Sequence, residues 1–328
     1  MRVDLAAPAI AFGVTFLVVW CLTRSRLARI VLDQPNHRSL HQTAIPRTGG
    51  LGLHLGVLIA WLYTGVPWTW LVLLSYVALI GVSIIDDLRD LPAVARLLAH
   101  LIASLVVAAA LLADQWGLLF AGVVTLAMAW VTNLYNFMDG ADGMAGGMAV
   151  SGFLAYGAAA SFDGLTPLSI LNFSIAASAL AFLAFNFSPA KIFMGDAGSI
   201  PLGFLAASLG LVGWHGSVWP WWFPAAVFAP FLADATVTLL RRLFAGQRVW
   251  QAHREHAYQK LVLMGWSHRR MALWAYVLML ACGGLALLGS RLGSAAQAAV
   301  VSLVVLACAA VLLRVEQAWR RHQNSVSA

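Results

Sequence analysis

The chain has 328 residues, of which 61% are hydrophobic and only 10% charged, and its mean hydropathy is +0.83. That composition excludes a soluble globular domain and reads as an integral membrane protein. Its 20 Lys+Arg outnumber 13 Asp+Glu, for a net charge of +7; in a membrane chain such residues set orientation and meet anionic headgroups or phosphorylated substrates, so nucleic acid is not expected as a partner.

The apolar stretches are continuous rather than alternating, which excludes a β-barrel and predicts an all-α, polytopic helical bundle. Cys21, Cys282 and Cys308 all lie inside these stretches as small hydrophobes and offer neither a disulfide framework nor a CxxC metal site. About eleven spans are predicted, near 5–22, 51–66, 69–85, 93–113, 117–135, 144–161, 167–187, 199–214, 219–240, 271–289 and 295–314. The first is followed by Arg24, Arg26 and Arg29 rather than by a small-residue cleavage site, so it reads as an anchor. Nearly every basic residue then falls on one side, with Arg2 and Arg291 alone on the other, which predicts the N-terminus outside and the C-terminus in the cytoplasm. The chain reads as one multi-pass domain over 1–328, with polar cytoplasmic loops near 23–50, 86–92, 133–143, 186–198 and 241–270. No internal repeat is visible and most spans lack a central ionisable residue, both of which count against an ion-coupled carrier.

Between the first two spans, Asp33 to His41 leads into Ile45-Pro46-Arg47-Thr48-Gly49-Gly50. This is neither a Walker A loop nor a dinucleotide fingerprint, and the glycine pair suits a backbone bend near an anion or close helix packing. The third span ends in Asp86-Asp87-Leu88-Arg89-Asp90. If the helix runs one turn further, Asp90 shares a face with Asp86 and Asp87, giving a site for Mg²⁺ and phosphate or a solvated helix end. After the fifth span, Asn133, Asn136, Asp139 and Asp142 recur every third residue and would line one side of a helical course, with Gly140 and Gly143 allowing close approach of a ligand; the alternative is a plain turn rich in Asn, Asp and Gly. The acidic pattern does not match an EF-hand.

A further polar segment, Asn186 to Ser199, carries Asp196 just before an apolar helix, where it is either an N-cap or part of a phosphate site at a helix N-terminus. Asp234, inside the ninth span, either completes the polar site or satisfies a neighbouring helix. The following loop contains Arg241-Arg242 and His253-Arg254-Glu255-His256. Two histidines and an arginine in one turn suit a diphosphate or lipid phosphate, whereas the spacing does not suit zinc. Arg241, Arg242, Arg269 and Arg270 are expected to be surface anchors at the membrane.

In order, Pro35/Arg38/His41, Pro46–Gly50, the DDxxD segment at Asp86–Asp90, NxxNxxDGxDG from Asn133, FMGDxGS from Phe193 and the histidine loop resemble the polyprenyl-phosphate N-acetylhexosamine-1-phosphate transferase superfamily. The resemblance covers about Asp33 to Gly265, and the histidine loop is closer to the undecaprenyl-phosphate GlcNAc-1-phosphate, O-antigen-initiating branch than to phospho-MurNAc-pentapeptide translocase, which has three consecutive histidines there. It implies transfer of an N-acetylhexosamine-1-phosphate from a UDP-sugar to undecaprenyl phosphate at the cytoplasmic face of a bacterial inner membrane, with release of UMP. It further implies Mg²⁺, with Mn²⁺ as a substitute, held by Asp196 and Asp87. Asp86, Asp87 and Asp196 are the implied catalytic residues, with Asp86 and Asp87 orienting lipid phosphate or metal and Asp86 the candidate base, and Arg47, Asn133, Asn136, Asp139, Gly140, Asp142, His253, Arg254 and His256 the implied substrate-binding ones. Membrane lipids are further implied partners, and a homodimer is compatible with the family.

Overall fold

The computed structural model describes residues 5–25, 32–33, 40, 44–65, 70–162, 164, 166–249 and 253–327. Arg26, Arg29, Pro35, Arg38 and His41 lie outside the described residues. The elements are α1 (Ala6–Arg24), a two-stranded antiparallel hairpin of β1 (Leu32–Asp33) and β2 (Ile45–Pro46), then α2 (Gly49–Thr64), α3 (Trp70–Arg89), α4 (Ala93–Phe137), α5 (Met144–Ala160) and α6 (Pro167–Asn186). They continue as α7 (Asp196–His215), α8 (Phe223–Val227), α9 (Ala229–Phe244), α10 (Ala257–Leu263), α11 (His268–Gly289) and α12 (Ser294–Ser327). Seven of the described helices, α1, α3, α4, α6, α7, α11 and α12, are long and apolar enough to cross a membrane, while α2 and α5 are shorter apolar helices. The protein is therefore an all-α, polytopic membrane protein.

Two expected boundaries change. The spans predicted at 93–113 and 117–135 are joined almost without a loop, because the chain leaves helical geometry at Gly117 alone (φ 80°, ψ 163°), a conformation open to glycine. The two halves form a hairpin: Arg96 near the start and Asn136 near the end both reach the N-terminal turn of α7, whereas Trp116 and Phe120 pack on Trp214 at its far end. The span predicted at 219–240 is instead broken into α8 and α9, with Pro230 in the first turn of α9 unable to donate a continuing helical hydrogen bond.

The bundle is built around α7, which packs against α2, α3, α4 and α5. Small residues permit this, since transmembrane helices associate through close backbone approach and interhelical polar contacts. At Gly50 an added Cβ would collide with the Gly198 backbone, so α2 and α7 meet main chain to main chain. Beside this crossing, buried His54 joins the same helices to α3, with Nδ1 2.6 Å from the Tyr76 hydroxyl and Nε2 2.9 Å from the Gly198 carbonyl. On the other flank of α2, the hydroxyls of Thr15 and Ser178 lie 2.5 Å apart, and Ser178 donates to the Leu53 carbonyl at 2.7 Å, tying α1, α2 and α6 together.

These crossings set a contrast between two glycines. Gly50→Ala forces backbone against backbone and is expected to lower the melting temperature in detergent, at a cost of about 1–3 kcal/mol. Gly81→Ala, in the middle of α3 with open space around it, should leave the melting temperature unchanged or slightly raised. Thermal unfolding of both variants in one detergent checks this.

Candidate active site at the polar end of the bundle

The N-terminal turn of α7 is the centre of the polar end. Gly195 enters it with φ 71°, and a Cβ there would strike the Arg47 carbonyl and approach Asp87 Oδ2 at 2.9 Å, so the tight approach demands glycine. Asp196 is the first helical residue and makes no capping bond of its own. The cap comes instead from α3: Asp87 accepts from the Asp196 amide at 3.2 Å and from the Ala197 amide at 2.9 Å. The N-cap role considered for Asp196 thus belongs to Asp87, and the Asp196 carboxylate is left for other partners.

Arg47 donates to Asp87 Oδ1 at 2.6 Å and lies 4.0 Å from Asp33. Burial alone would lower the Arg47 pKa, but the charge and hydrogen bond of Asp87 outweigh it and raise it. Backbone bonds fix the segment that carries Arg47, with the Phe193 amide donating to the Pro46 carbonyl at 2.7 Å and the Gly49 and Gly50 amides donating to the Phe193 and Met194 carbonyls at 2.9 Å. Asp86, buried beside Asp87, accepts from the Leu91 amide at 2.8 Å and from Arg96 at 3.2 Å. Arg96 also reaches Asp196 at 3.4 Å and so bridges two carboxylates from different helices. Asp90 does not join them, because α3 ends at Arg89 and Asp90 adopts φ 48° and is exposed.

Asn133 and Asn136 lie on the last turns of α4. Asn133 donates to the Ala129 carbonyl at 2.7 Å, and Asn136 accepts from Ser199 at 2.7 Å, which links α4 to α7. Beyond the helix end, Asp139 faces the cluster: burial, then the charges of Asp196 and Asp87, raise its pKa well above the ordinary carboxylate value. Asp142 departs from the expected single row. It pairs with His268 at 3.3 Å and accepts from the Ala190 amide at 3.1 Å. Burial would raise its pKa, but the His268 bond and charge and the Ala190 amide together lower it. Asn186 completes this joint, accepting from the Gly143 amide at 3.0 Å and donating to the Ile192 carbonyl at 2.9 Å. Gly140 faces the Tyr258 hydroxyl, which occupies the space a Cβ would need.

The histidine loop divides by burial. His256 is buried, stacked on Tyr258 with ring centroids 5.8 Å apart, and its Nδ1 lies 3.6 Å from Asp234 Oδ1, beyond hydrogen-bond reach. His253 is half-buried, 4.8 Å from His256 between centroids, and its pKa is lowered to about 4 by burial first and then by His256 and Arg242. Arg254 is exposed. Asp234 accepts from the Ala257 and Tyr258 amides at 2.8 and 3.3 Å, so it caps α10, the second of its two expected roles. Arg242 is not a surface anchor: it is buried and paired with Glu255. Arg241 pairs with Glu316 at 2.7 Å, and Arg270 lies 4.0 Å over the Trp266 ring.

Around the two guanidiniums of Arg47 and Arg96 stand the carboxylates of Asp33, Asp86, Asp87 and Asp196, so acidic groups outnumber basic ones and repel one another. Protonation or a divalent cation relieves such an excess. Among the described residues no three His, Cys, Asp or Glu side chains form a complete metal-ligand set. By residue type, the carboxylates of Asp196 and its acidic neighbours are hard oxygen donors of the kind that suits Mg²⁺ alongside phosphate oxygens and water. Reading by motif missed Arg96, Tyr258, Asn186 and His268. Two of these carry a signal in the sequence: Arg96, in the first turn after Pro92 and a short link away from Asp86, and Asn186, which opens the polar segment leading to Asp196.

The glycosyl transferase family 4 profile matches residues 69–213, which hold Asp86, Asp87, the Asn133–Asp142 segment and Asp196. Over 291 residues the chain is 31% identical to the probable undecaprenyl-phosphate N-acetylglucosaminyl 1-phosphate transferase of Bacillus subtilis, covering 82% of this chain and 81% of that one. It is 30% identical over 320 residues to the undecaprenyl-phosphate alpha-N-acetylglucosaminyl 1-phosphate transferase of Yersinia pestis, covering 88% and 85%. It is also 30% identical over 327 residues to the decaprenyl-phosphate N-acetylglucosaminephosphotransferase of Mycobacterium leprae, covering 84% and 80%. With 30% or more identity over most of both chains, this protein belongs to the polyprenyl-phosphate N-acetylhexosamine-1-phosphate transferase family.

Proposed function

We propose that the protein transfers an N-acetylhexosamine-1-phosphate from a UDP-sugar to undecaprenyl phosphate and so starts a lipid-linked envelope glycan such as O-antigen. The observation that carries this reading is the interleaving of Arg47 and Arg96 with Asp86, Asp87 and Asp196 at the α7 N-terminus. Cationic groups, a helix N-terminus and an excess of carboxylate in one place suit two phosphate-bearing substrates and a hard cation. In the reaction, an oxygen of the lipid phosphate forms a bond to the sugar-bearing phosphorus. The bond from that phosphorus to the bridging oxygen breaks, and UMP leaves with the electron pair.

Asp196, with Asp87 beside it, would hold Mg²⁺, which would neutralise charge on the diphosphate. Arg47 and Arg96 bind and orient phosphate oxygens, each fixed in place by a carboxylate. Asp86 acts by aligning Arg96. A base is not required of it, because a phosphate monoester with a second pKa of about 6 is already largely ionised at neutral pH. Asn133, Asn136, Asp139 and Gly140 line the donor side, Asp142 holds that wall to α11, and His253, Arg254 and His256 approach the phosphates from the α9–α10 loop. A site that meets an aqueous nucleotide and a membrane-held lipid phosphate lies at a membrane face. The basic-residue asymmetry makes that face cytoplasmic in an eleven-span bundle of the bacterial inner membrane.

The decisive assay incubates purified protein with undecaprenyl phosphate, Mg²⁺ and individual UDP-N-acetylhexosamines, and identifies the lipid product by mass. Absence of a diphosphate-linked product with every donor would overturn the reading. In the same assay Asp196→Asn, which keeps the volume and removes the charge a hard cation needs, is expected to abolish turnover while the melting temperature stays near that of the parent.

His253 tests the chemistry of the loop. With its pKa lowered to about 4, the ring is neutral at and above neutral pH and gains its proton only as the pH falls through that value. His253→Gln should therefore lower kcat/KM while leaving the shape of its pH profile between about pH 6 and 8 unchanged. A lost inflection in that window would show that His253 acts as a cation.

Orientation is checked by labelling engineered cysteines in intact cells. An impermeant reagent is expected to reach a cysteine at Asp114 and not one at Ser188.

A further inference from the structure

Glu316 lies far along the last helix, outside every motif, yet it draws together three elements. Its Oε2 accepts from Arg241 on α9 at 2.7 Å and from Lys260 on α10 at 2.7 Å, and its Oε1 accepts from Arg320 one turn on at 3.2 Å. Lys260 is 3% exposed, so its ammonium is a desolvated charge for which Glu316 is the counter-ion. The short helix that carries Lys260 is thereby held at two points: Asp234 caps its first amides and Glu316 holds its last turn. Between these points stands Tyr258, which stacks on His256, fills the space beside Gly140 and donates to the Phe137 carbonyl at 3.2 Å. The turn it presses on carries Asp139.

We propose that Glu316 is a positioning residue for the transfer reaction: through Lys260 it fixes α10, and through Tyr258 it sets the histidine loop against the Phe137–Asp139 turn. The inference rests on the proposed transferase reading for its activity arm. Seven residues are too few for α10 to hold its place by helix formation alone, so its position depends on contacts at its ends. The C-terminal part of α12 then serves the active site, although it contributes no group to the substrates.

The test compares Glu316→Gln with Glu316→Asp and with the double variant Lys260→Met/Glu316→Gln. Glu316→Gln strands a buried ammonium and is expected to lower both the melting temperature and kcat. The double variant removes the stranded charge, so the melting temperature should recover. Because α10 is still untied, kcat should stay at least about tenfold down, with KM for each substrate within about twofold of the parent. Glu316→Asp keeps the charge and should retain an intermediate kcat. Hydrogen exchange gives a readout that needs no turnover: amides of 257–263 and of 137–143 should both exchange faster in the double variant, with those of α7 unchanged. Recovery of kcat together with the melting temperature, or faster exchange confined to α10, would overturn the proposal. If the parent protein makes no lipid product, the transferase reading fails while the exchange comparison still decides whether Glu316 positions the loop.

Discussion

Asp87 holds the first amides of α7 from a different helix, and the polar end of the bundle is registered to that contact. A carboxylate on a helix N-terminus satisfies amides that would otherwise face a poorly solvating environment, and it meets the positive end of the helix dipole. A cap of this kind contributes about 1 kcal/mol in ordinary helices. Its larger consequence here is geometric. Because Asp87 is fixed by α7, Arg47 is fixed by Asp87, and the Pro46–Gly50 segment that brings Arg47 in is bonded to the chain just before α7. Asp196 is relieved of the capping role that its position would otherwise give it.

The close crossing of α2 on α7 serves the same end. Gly50 and Gly198 let two backbones meet within a few residues of Arg47 and Asp196, and His54 locks α3 to that crossing. The three helices that deliver Arg47, Asp87 and Asp196 are thus held by main-chain contact and a buried imidazole rather than by long flexible side chains. Phosphoryl transfer depends on positioning and charge stabilisation more than on covalent chemistry, and a rigid frame of this kind supplies the positioning.

Around this frame the polar residues fall into two groups by what surrounds them. Asp86, Asp87, Asp139 and Asp196 gather near Arg47 and Arg96, although Asp86 and Asp87 also satisfy helix-end amides. Asp142, Asn186, His268, Asp234, Arg242 and Glu316 satisfy helix ends, loops and one another. Motif spacing does not separate these sets. Asp139 and Asp142 lie three residues apart in one glycine-rich turn, yet the first is held among like charges while the second closes an ion pair with α11. The difference arises because α4 ends at Phe137 and the chain turns before Asp142.

The class of fold, the position of nearly every apolar segment and the gathering of acidic, amide and histidine residues into a few loops are legible along the chain. Those features follow from hydropathy and from the cost of burying charge in hydrocarbon, both of which are written locally in the chain. The turn at Gly117 and the break before Pro230 depend on single residues whose backbone geometry decides whether a helix turns back or is interrupted, and only the second departs from the span pattern that hydropathy predicts. Helix packing settles which carboxylate caps α7, that Arg96 bridges Asp86 and Asp196, that Asp234 serves α10, and that Glu316 joins α10 to the last helix. Each of these is a contact between residues distant in the chain, and the partner of a buried charge is fixed by how the helices pack rather than by the residues beside it.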